Sequence, residues 1–98
     1  MYSMNDLLNL VCSEQAEALR LVVGKPPVIA LRDGQREVGA SVITDADAEQ
    51  FLFCIADTRQ RREIWEGRTA QFFYQIQESE RFLVRAWLAD GHLAFEIK

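Results

Sequence analysis

The stretch from residue 19 to residue 38 constrains the fold most, because it holds two strand-like runs, the corner between them and a hairpin turn. Leu19, Leu21 and Val23 recur at every second position, which is the period of a β-strand with one better-buried face. Gly24-Lys25-Pro26-Pro27 follows. Prolines lack a backbone N–H and push the preceding residue out of the helical region, so this segment ends the strand.

Two Asp-Gly pairs predict hairpin turns, since a type I′ turn needs positive φ at both central positions. Asp33-Gly34 separates an apolar run at Val28–Leu31 from a return strand at 35–38. Asp90-Gly91 precedes a final strand in which Leu93, Phe95 and Ile97 alternate with other residues. The last third is predicted to hold three strands, at 72–76, 81–89 and 93–97, with a polar turn at 77–80.

A first helix is predicted after Ser3, which is a suitable N-cap with Asp6 at the third helical position. Tyr2 and Leu7 are spaced as a hydrophobic staple. The apolar side of this helix is expected to pack on the sheet, and the helix to fade near residues 16–18.

Two more helices are predicted from capping signals. Thr44 followed by Asp47 is a variant of the capping box, and Asp57 or Thr58 caps a short third helix that Gly67 ends. The second helix has a core-facing stripe at i, i+3, i+4 and i+7, and the third has two apolar anchors: Ala48, Phe51, Leu52 and Ile55, then Ile64 and Trp65. The fold class expected is α+β, with a mostly antiparallel sheet of five to six strands and three helices.

Composition excludes several classes of protein. With 98 residues the chain is expected to be one domain, 1–98, and a net charge of -4 argues against broad nucleic-acid binding, which depends on Lys and Arg neutralising phosphates. The N-terminus has no basic region, and no apolar run approaches the roughly 20 residues that span a bilayer. We therefore expect a cytoplasmic protein without membrane insertion.

Residues that carry chemistry are not grouped in a recognisable site. Cys12 and Cys54 are expected to be buried free thiols in preference to a disulfide, and a zinc site is disfavoured because the chain has one histidine, His92, and no Cys-x-x-Cys spacing. No phosphate-binding loop occurs, because Gly24-Lys25 runs into two prolines. No catalytic residues, metal or cofactor are expected, and the arginines of the third helix alternate with glutamates as on a solvated face.

The long strand at 81–89 has two different faces. One side is an apolar row that must be core: Phe82, Val84, Ala86 and Leu88. The other side carries Arg81, Leu83, Arg85 and Trp87, a mixture typical of protein interfaces, which favour Trp and Arg. Two interpretations remain open: either this row docks a protein partner, or Leu83 and Trp87 lie beneath the first helix while the arginines reach outward.

Taken together, these motifs resemble the N-terminal PAS-like domain of the PilT-like twitching-motility ATPases, in the bacterial type II and type IV secretion ATPase superfamily. The resemblance covers nearly the whole chain and depends on the order of five motifs. They are the opening pair Leu7-Leu8, then Gly24-Lys25-Pro26-Pro27, the hairpin Arg32-Asp33-Gly34, the run Gln60-Arg61-Arg62-Glu63-Ile64-Trp65-Glu66, and Arg81-Phe82-Leu83-Val84-Arg85.

The sequence departs from the family at polar positions that in the family lie near the ATPase domain, the neighbouring subunit and the nucleotide. Where the family has Ser-Asp-x-His, this chain has Glu17-Ala18-Leu19-Arg20, and where the family has Thr-Asp-Phe, it has Ala70-Gln71-Phe72. In the last motif, Leu83 and Arg85 replace an Arg and an Asn of the family. The resemblance thus implies a stand-alone or excised relative without the nucleotide-linked role.

Three functions follow from the resemblance. The first is a non-catalytic interaction or regulatory domain of a pilus or secretion motor, bound to the motor ATPase, another protein or its own oligomer through the Arg81 to Trp87 row or a sheet edge. The second is a PAS-like sensor whose aromatic residues line a pocket for a small ligand: Phe51, Phe53, Trp65, Phe72, Tyr74 and Phe95. The third is the N-terminal part of a complete PilT-like ATPase.

Overall fold

The computed structural model describes residues 2–77 and 80–98, which form three helices and six strands. The helices are α1 (Met4–Ser13), α2 (Asp45–Ile55) and α3 (Thr58–Trp65). The strands are β1 (Ala18–Val22), β2 (Val28–Leu31), β3 (Gly34–Glu37), β4 (Ala70–Gln77), β5 (Glu80–Ala89) and β6 (His92–Ile97). The α+β class predicted from the sequence is confirmed.

The six strands form one antiparallel sheet in the order β3-β2-β1-β6-β5-β4. Consecutive strands pair within β1 to β3 and within β4 to β6, and β1 joins the two groups by pairing with β6. The chain therefore makes two antiparallel meanders, and the first and last strands lie side by side at the centre.

The core lies between the three helices and one face of the sheet. Leu8 on α1, Phe51 on α2 and Ile64 on α3 are almost fully buried, and the Phe51 ring meets Phe95 of β6 edge to face, with 6.3 Å between ring centroids. The stripe predicted for α2 is buried as expected, and so are Phe82, Val84 and Ala86 of the β5 core row, whereas Leu88 is half-buried. All three helices thus pack on the same side of the sheet.

Helix starts agree with the capping signals. Ser3 accepts a hydrogen bond from the Asp6 backbone N–H, and Thr44 and Asp47 form a reciprocal capping box. Asp57, one of the two residues predicted, is the N-cap of α3. The Tyr2 hydroxyl donates to the Ser41 carbonyl oxygen over 2.6 Å, so this side chain ties the start of α1 to the loop before α2.

Helix ends agree only in part. Gly67 (φ 91°) ends α3 as predicted, but α1 ends at Ser13 and not near residues 16–18. Gln15 adopts φ 53°, and the N–H groups of Gln15 and Ala16 bond to the carbonyls of Cys12 and Val11. This is the hydrogen-bond pattern of a Schellman motif, formed here without the usual glycine.

The two Asp-Gly hairpins differ. Asp90 and Gly91 have φ values of 53° and 81°, as a type I′ turn requires. At the first hairpin the predicted turn type is wrong: Asp33 has no positive φ, and Gly34 pairs with Leu31 as the first residue of β3. The turn there is made by Arg32 and Asp33, because the register places the glycine in the strand.

The polar turn predicted at 77–80 includes residues 78 and 79, which lie outside the described residues.

Candidate functional site: the open face of the sheet

The side of the sheet opposite the helices is the candidate site, and we call it the open face. It is defined by Arg20, Val22, Phe73, Arg81, Leu83, Arg85, Trp87, Glu96 and Lys98. The strand register brings these residues together, because paired residues of neighbouring antiparallel strands point to the same face. Arg85 lies opposite Glu96, which in turn lies opposite Arg20, so one charged row crosses three strands.

Four apolar side chains of the open face are partly or largely exposed. Phe73 on β4 lies directly opposite Leu83 on β5 and keeps 60% of its surface exposed. Trp87 and Leu83 are half-buried, and Val22 is 37% exposed. A Phe, a Trp and two aliphatic residues on a face that also carries charges have the composition of an interface centre with a polar rim.

The electrostatics of this face are dominated by Glu96, the acceptor at its centre. Its carboxylate lies 3.7 Å from the Arg20 guanidinium, 3.9 Å from that of Arg85 and 3.8 Å from the Lys98 ammonium. Glu37 adds a second carboxylate to this face, because it lies opposite Val28, which lies opposite Arg20. Two carboxylates do not balance Arg20, Arg81, Arg85 and Lys98, so the open face is positive on a chain whose net charge is -4.

Two arginines of the face lie over aromatic rings. The Arg81 guanidinium carbon is 3.9 Å from the Phe73 ring centroid, and that of Arg85 is 6.0 Å from the Trp87 ring. Stacking of this kind holds the planar Arg81 guanidinium in place and leaves its N–H edge able to donate to both oxygens of a carboxylate, whereas Arg85 is already paired with Glu96.

The four residues predicted from the sequence, Arg81, Leu83, Arg85 and Trp87, therefore lie on one face of β5. The alternative, with Leu83 and Trp87 beneath the first helix, is wrong, because α1 packs its Leu7, Leu8 and Val11 into the core on the other side. Sequence reasoning missed Phe73, Glu96 and Arg20 as members of the face. The alternation in the runs at 19–23 and 72–76 carried the signal, but which strands flank β5 did not follow from it.

A shallow groove of about 160 Å³ continues the open face towards the β1–β2 corner. It is lined by Arg20, Val22, Lys25, Pro26, Val28 and Gln35. Lys25 thus adds a further cation beside the Arg20 end of the charged row.

The prediction that both cysteines are free is confirmed, but the prediction that both are buried is wrong. Cys54 is exposed because it precedes the core-facing Ile55 by one residue, which turns it about 100° away from the core. Cys12 is half-buried, and its thiol lies 3.4 Å from a carboxylate oxygen of Glu80. Burial raises the pKa of Cys12, and the hydrogen bond and negative charge of Glu80 raise that pKa further.

The remaining polar residues singled out in the sequence have structural partners. Nδ1 of His92, at the start of β6, lies 2.8 Å from a carboxylate oxygen of Asp45 at the first turn of α2. Arg61 donates to the Ala56 carbonyl and stacks 4.9 Å from the Phe53 ring, and Arg59 pairs with Glu63 at 3.5 Å. Arg61 thus links α3 to the C-terminal end of α2, whereas the Arg59–Glu63 pair lies within α3.

In the part of the chain that the structure describes, the six aromatic residues proposed for a sensor pocket are divided between the core and the surface. Phe51, Phe72 and Phe95 are in the core, whereas Phe53 is 67% and Trp65 50% exposed. The prediction that Trp65 anchors α3 is wrong, because Ile64, one residue earlier, takes the core-facing position of this short helix. A groove of about 390 Å³ between α1 and α2 is lined by Phe51 alone of the six, with Tyr2, Ser3, Met4, Ala46, Gln50 and Cys54.

Within residues 2–77 and 80–98, no cluster of three or more His, Cys, Asp or Glu side chains is arranged to hold a metal ion. In the same ranges, no helix is both long and apolar enough to cross a membrane.

Known structures share this fold at low sequence identity. The pilus retraction motor PilT, solved with bound ADP, aligns with 100% of this chain at a TM-score of 0.89 and 12% identity. The fold is that of the N-terminal region of PilT-like ATPases. The DotB ATPases of Legionella pneumophila and Yersinia pseudotuberculosis align with 96% and 99% of the chain, with TM-scores of 0.79 and 0.67 and identities of 18% and 11%.

The chain spans 29% of the PilT chain and 26% and 29% of the two DotB chains. No protein-family model matches the sequence, and no curated protein matches it either. The resemblance recognised from motif order is thus confirmed for the fold, while the roles of individual residues depend on the geometry of this chain.

Proposed function

We propose that the chain is a non-catalytic interaction domain of a pilus or secretion motor system, acting in the cytoplasm as one domain over residues 1–98. The fold shared with PilT and DotB supports the association with such motors. The observation that carries the interaction role is the open face, which combines exposed aromatic residues with stacked arginines on a face that none of the three helices covers.

Arg81, Leu83, Arg85 and Trp87 are the residues proposed to bind the partner. Trp87 has the size and partial burial of an anchor residue that a partner's pocket can enclose, and Leu83 with Phe73 supplies a second apolar contact. The surplus of positive charge favours a partner surface that carries carboxylates, since complementary charge speeds association and excludes wrong partners.

A second candidate is the same domain working inside a complete ATPase. It is favoured by the alignments, in which 96% to 100% of this chain matches 26% to 29% of the PilT and DotB chains. Under this proposal the open face meets another part of the same machine. Reading the gene beyond the codon for Lys98 separates the two candidates, because the second requires a Gly-x-x-x-x-Gly-Lys-Ser/Thr loop downstream.

The interaction proposal is tested by affinity capture from extracts of the host, with the chain as bait and mass spectrometry to identify what is retained. We expect a pilus, secretion or motility protein to be recovered by the native chain and lost with the double variant Arg81→Glu, Arg85→Glu. That variant reverses the charge of the open face.

The matched control is Arg59→Glu, Arg62→Glu, which makes the same charge change on the exposed side of α3. This control should recover the partner as the native chain does. Recovery of no motor-associated protein, or equal losses with both double variants, would contradict the proposal.

A further inference from the structure

The two edges of the sheet differ in how well they are protected against pairing with another strand. β3 has four residues and carries Arg36 and Glu37, which is how natural sheets usually protect an edge. β4 has eight residues, Ala-Gln-Phe-Phe-Tyr-Gln-Ile-Gln, with no charge, no proline and no glycine. Its one irregularity is a register shift between Gln75 and Gln77, and the pairing from Ala70 to Gln75 is regular. Over residues 70–75, β4 therefore lacks the features that usually protect an edge strand.

The hydrogen-bond register identifies which backbone groups of β4 point outward. Leu83 exchanges both of its backbone hydrogen bonds with Lys98, at 2.9 and 3.0 Å, on the β6 side of β5. Antiparallel bonding alternates along a strand, so Phe82 and Val84 bond to β4 instead, where they lie opposite Tyr74 and Phe72.

It follows that the backbone hydrogen-bonding groups of the residues between these pairs do not bond to β5. The backbone N–H and C=O groups of Gln71 and Phe73 point away from the sheet, at its edge. The Phe73 side chain is 60% exposed on the open face just beside them. An incoming strand therefore meets both hydrogen-bonding groups and an uncovered aromatic ring.

We propose that β4 pairs in antiparallel fashion with β4 of a second copy of this chain, about a twofold axis. In a twofold interface the same surface must complement itself, and a charged strand would place like charges opposite each other. β4 avoids this cost because all eight of its residues are uncharged. The nearest open-face charges, Arg81 and Arg85, belong to β5, although the Arg81 guanidinium reaches over the Phe73 ring of β4.

Pairing of this kind joins the two six-stranded sheets edge to edge and makes their open faces continuous. Contact along one strand buries less than the roughly 1,200 Å² of a standard interface, so the dimer forms in a concentration-dependent equilibrium. This inference depends on the edge strand alone, and it stands or falls separately from the docking role of the open face.

The test is the solution mass of the 98-residue chain, measured by sedimentation equilibrium at concentrations up to about 1 mM. We expect the mass to rise from 11.3 kDa towards twice that value as the concentration increases. The variant Gln71→Pro should remain at the mass of one chain, because it removes an outward-pointing N–H without breaking a hydrogen bond of the native sheet.

Phe73→Asp is a second variant that should also stay monomeric, since it places like charges on both copies of the edge. Circular dichroism shows whether each variant is folded, and Phe73→Asp decides the test if Gln71→Pro does not fold. Phe53→Asp is the matched control, because Phe53 is an equally exposed phenylalanine beneath an arginine, but on α2, and it should leave the equilibrium unchanged.

Two results overturn the inference. One is a native chain whose mass stays at 11.3 kDa throughout the concentration range. The other is a dimer that persists in both folded β4 variants or is lost with Phe53→Asp, which would place the interface elsewhere on the molecule.

Discussion

At the scale of single residues, adjacent positions have opposite environments, and this decides their roles. Phe72 is 9% exposed and packs in the core, whereas Phe73, the next residue of β4, is 60% exposed and stacks under Arg81. The two cysteines differ in the same way, because Cys54 points to solvent and Cys12 is half-buried beside Glu80.

The cysteines allow a direct test of this difference. We expect a thiol reagent to label Cys54 first and Cys12 slowly, because the thiolate is the reactive form and burial and Glu80 raise the pKa of Cys12. Raising the pH should therefore accelerate labelling of Cys12, because it increases the thiolate fraction of a thiol whose pKa is raised.

The measurement is the time course of labelling followed by mass spectrometry. Cys54→Ser should abolish the fast phase, and Glu80→Gln should speed the slow one, because removing the carboxylate charge lowers the pKa of Cys12. Equal rates for the two thiols in the native chain would show that their environments do not differ as described.

At the scale of elements, the capping boxes define where α2 and α3 begin. Thr44 accepts from the Asp47 N–H at 3.1 Å while Asp47 accepts from the Thr44 N–H at 3.1 Å, and Asp47 is 6% exposed. By contrast, the Ser3 cap of α1 is a single exposed bond of 3.4 Å.

We therefore expect Thr44→Ala to lower the free energy of unfolding by about 1 kcal/mol, and Ser3→Ala by less. The measurement is the urea midpoint, compared at an unchanged slope of unfolding. A larger loss with Ser3→Ala than with Thr44→Ala would mean that the exposed cap, and not the reciprocal box, contributes most.

Elements were predictable where local chemistry alone specifies them. The three helix starts, the type I′ turn at Asp90-Gly91 and the α2 stripe depend on side chains a few residues apart. The end of α1 was not predictable in this way, because Gln15 takes a positive φ that local preference assigns to glycine.

The candidate site likewise has members that local sequence predicts and members that depend on strand pairing. Alternation within β5 was enough to place Arg81, Leu83, Arg85 and Trp87 on one face. The other members depend on which strands lie beside β5, and the pairing of β1 with β6 joins segments from opposite ends of the chain. Phe73, Glu96 and Arg20 could be assigned only once that register was known.

At the scale of the whole molecule, apolar burial is concentrated on one side of the sheet and positive charge on the other. The helices cover the inner face, and the open face carries a cluster of cations on a chain with a net charge of -4. This asymmetry, on a fold shared with PilT and DotB, supports the docking role that we propose.

The most direct test of that role is the dissociation constant of the partner captured from the host, measured for the native chain, Trp87→Ala and Trp65→Ala. Both tryptophans are partly exposed, but Trp65 lies on α3, away from the open face. The docking account predicts that Trp87→Ala weakens binding by about 2 kcal/mol, or roughly 30-fold, and that Trp65→Ala changes it less than about twofold. An unchanged affinity for Trp87→Ala, or a larger loss for Trp65→Ala, would contradict it.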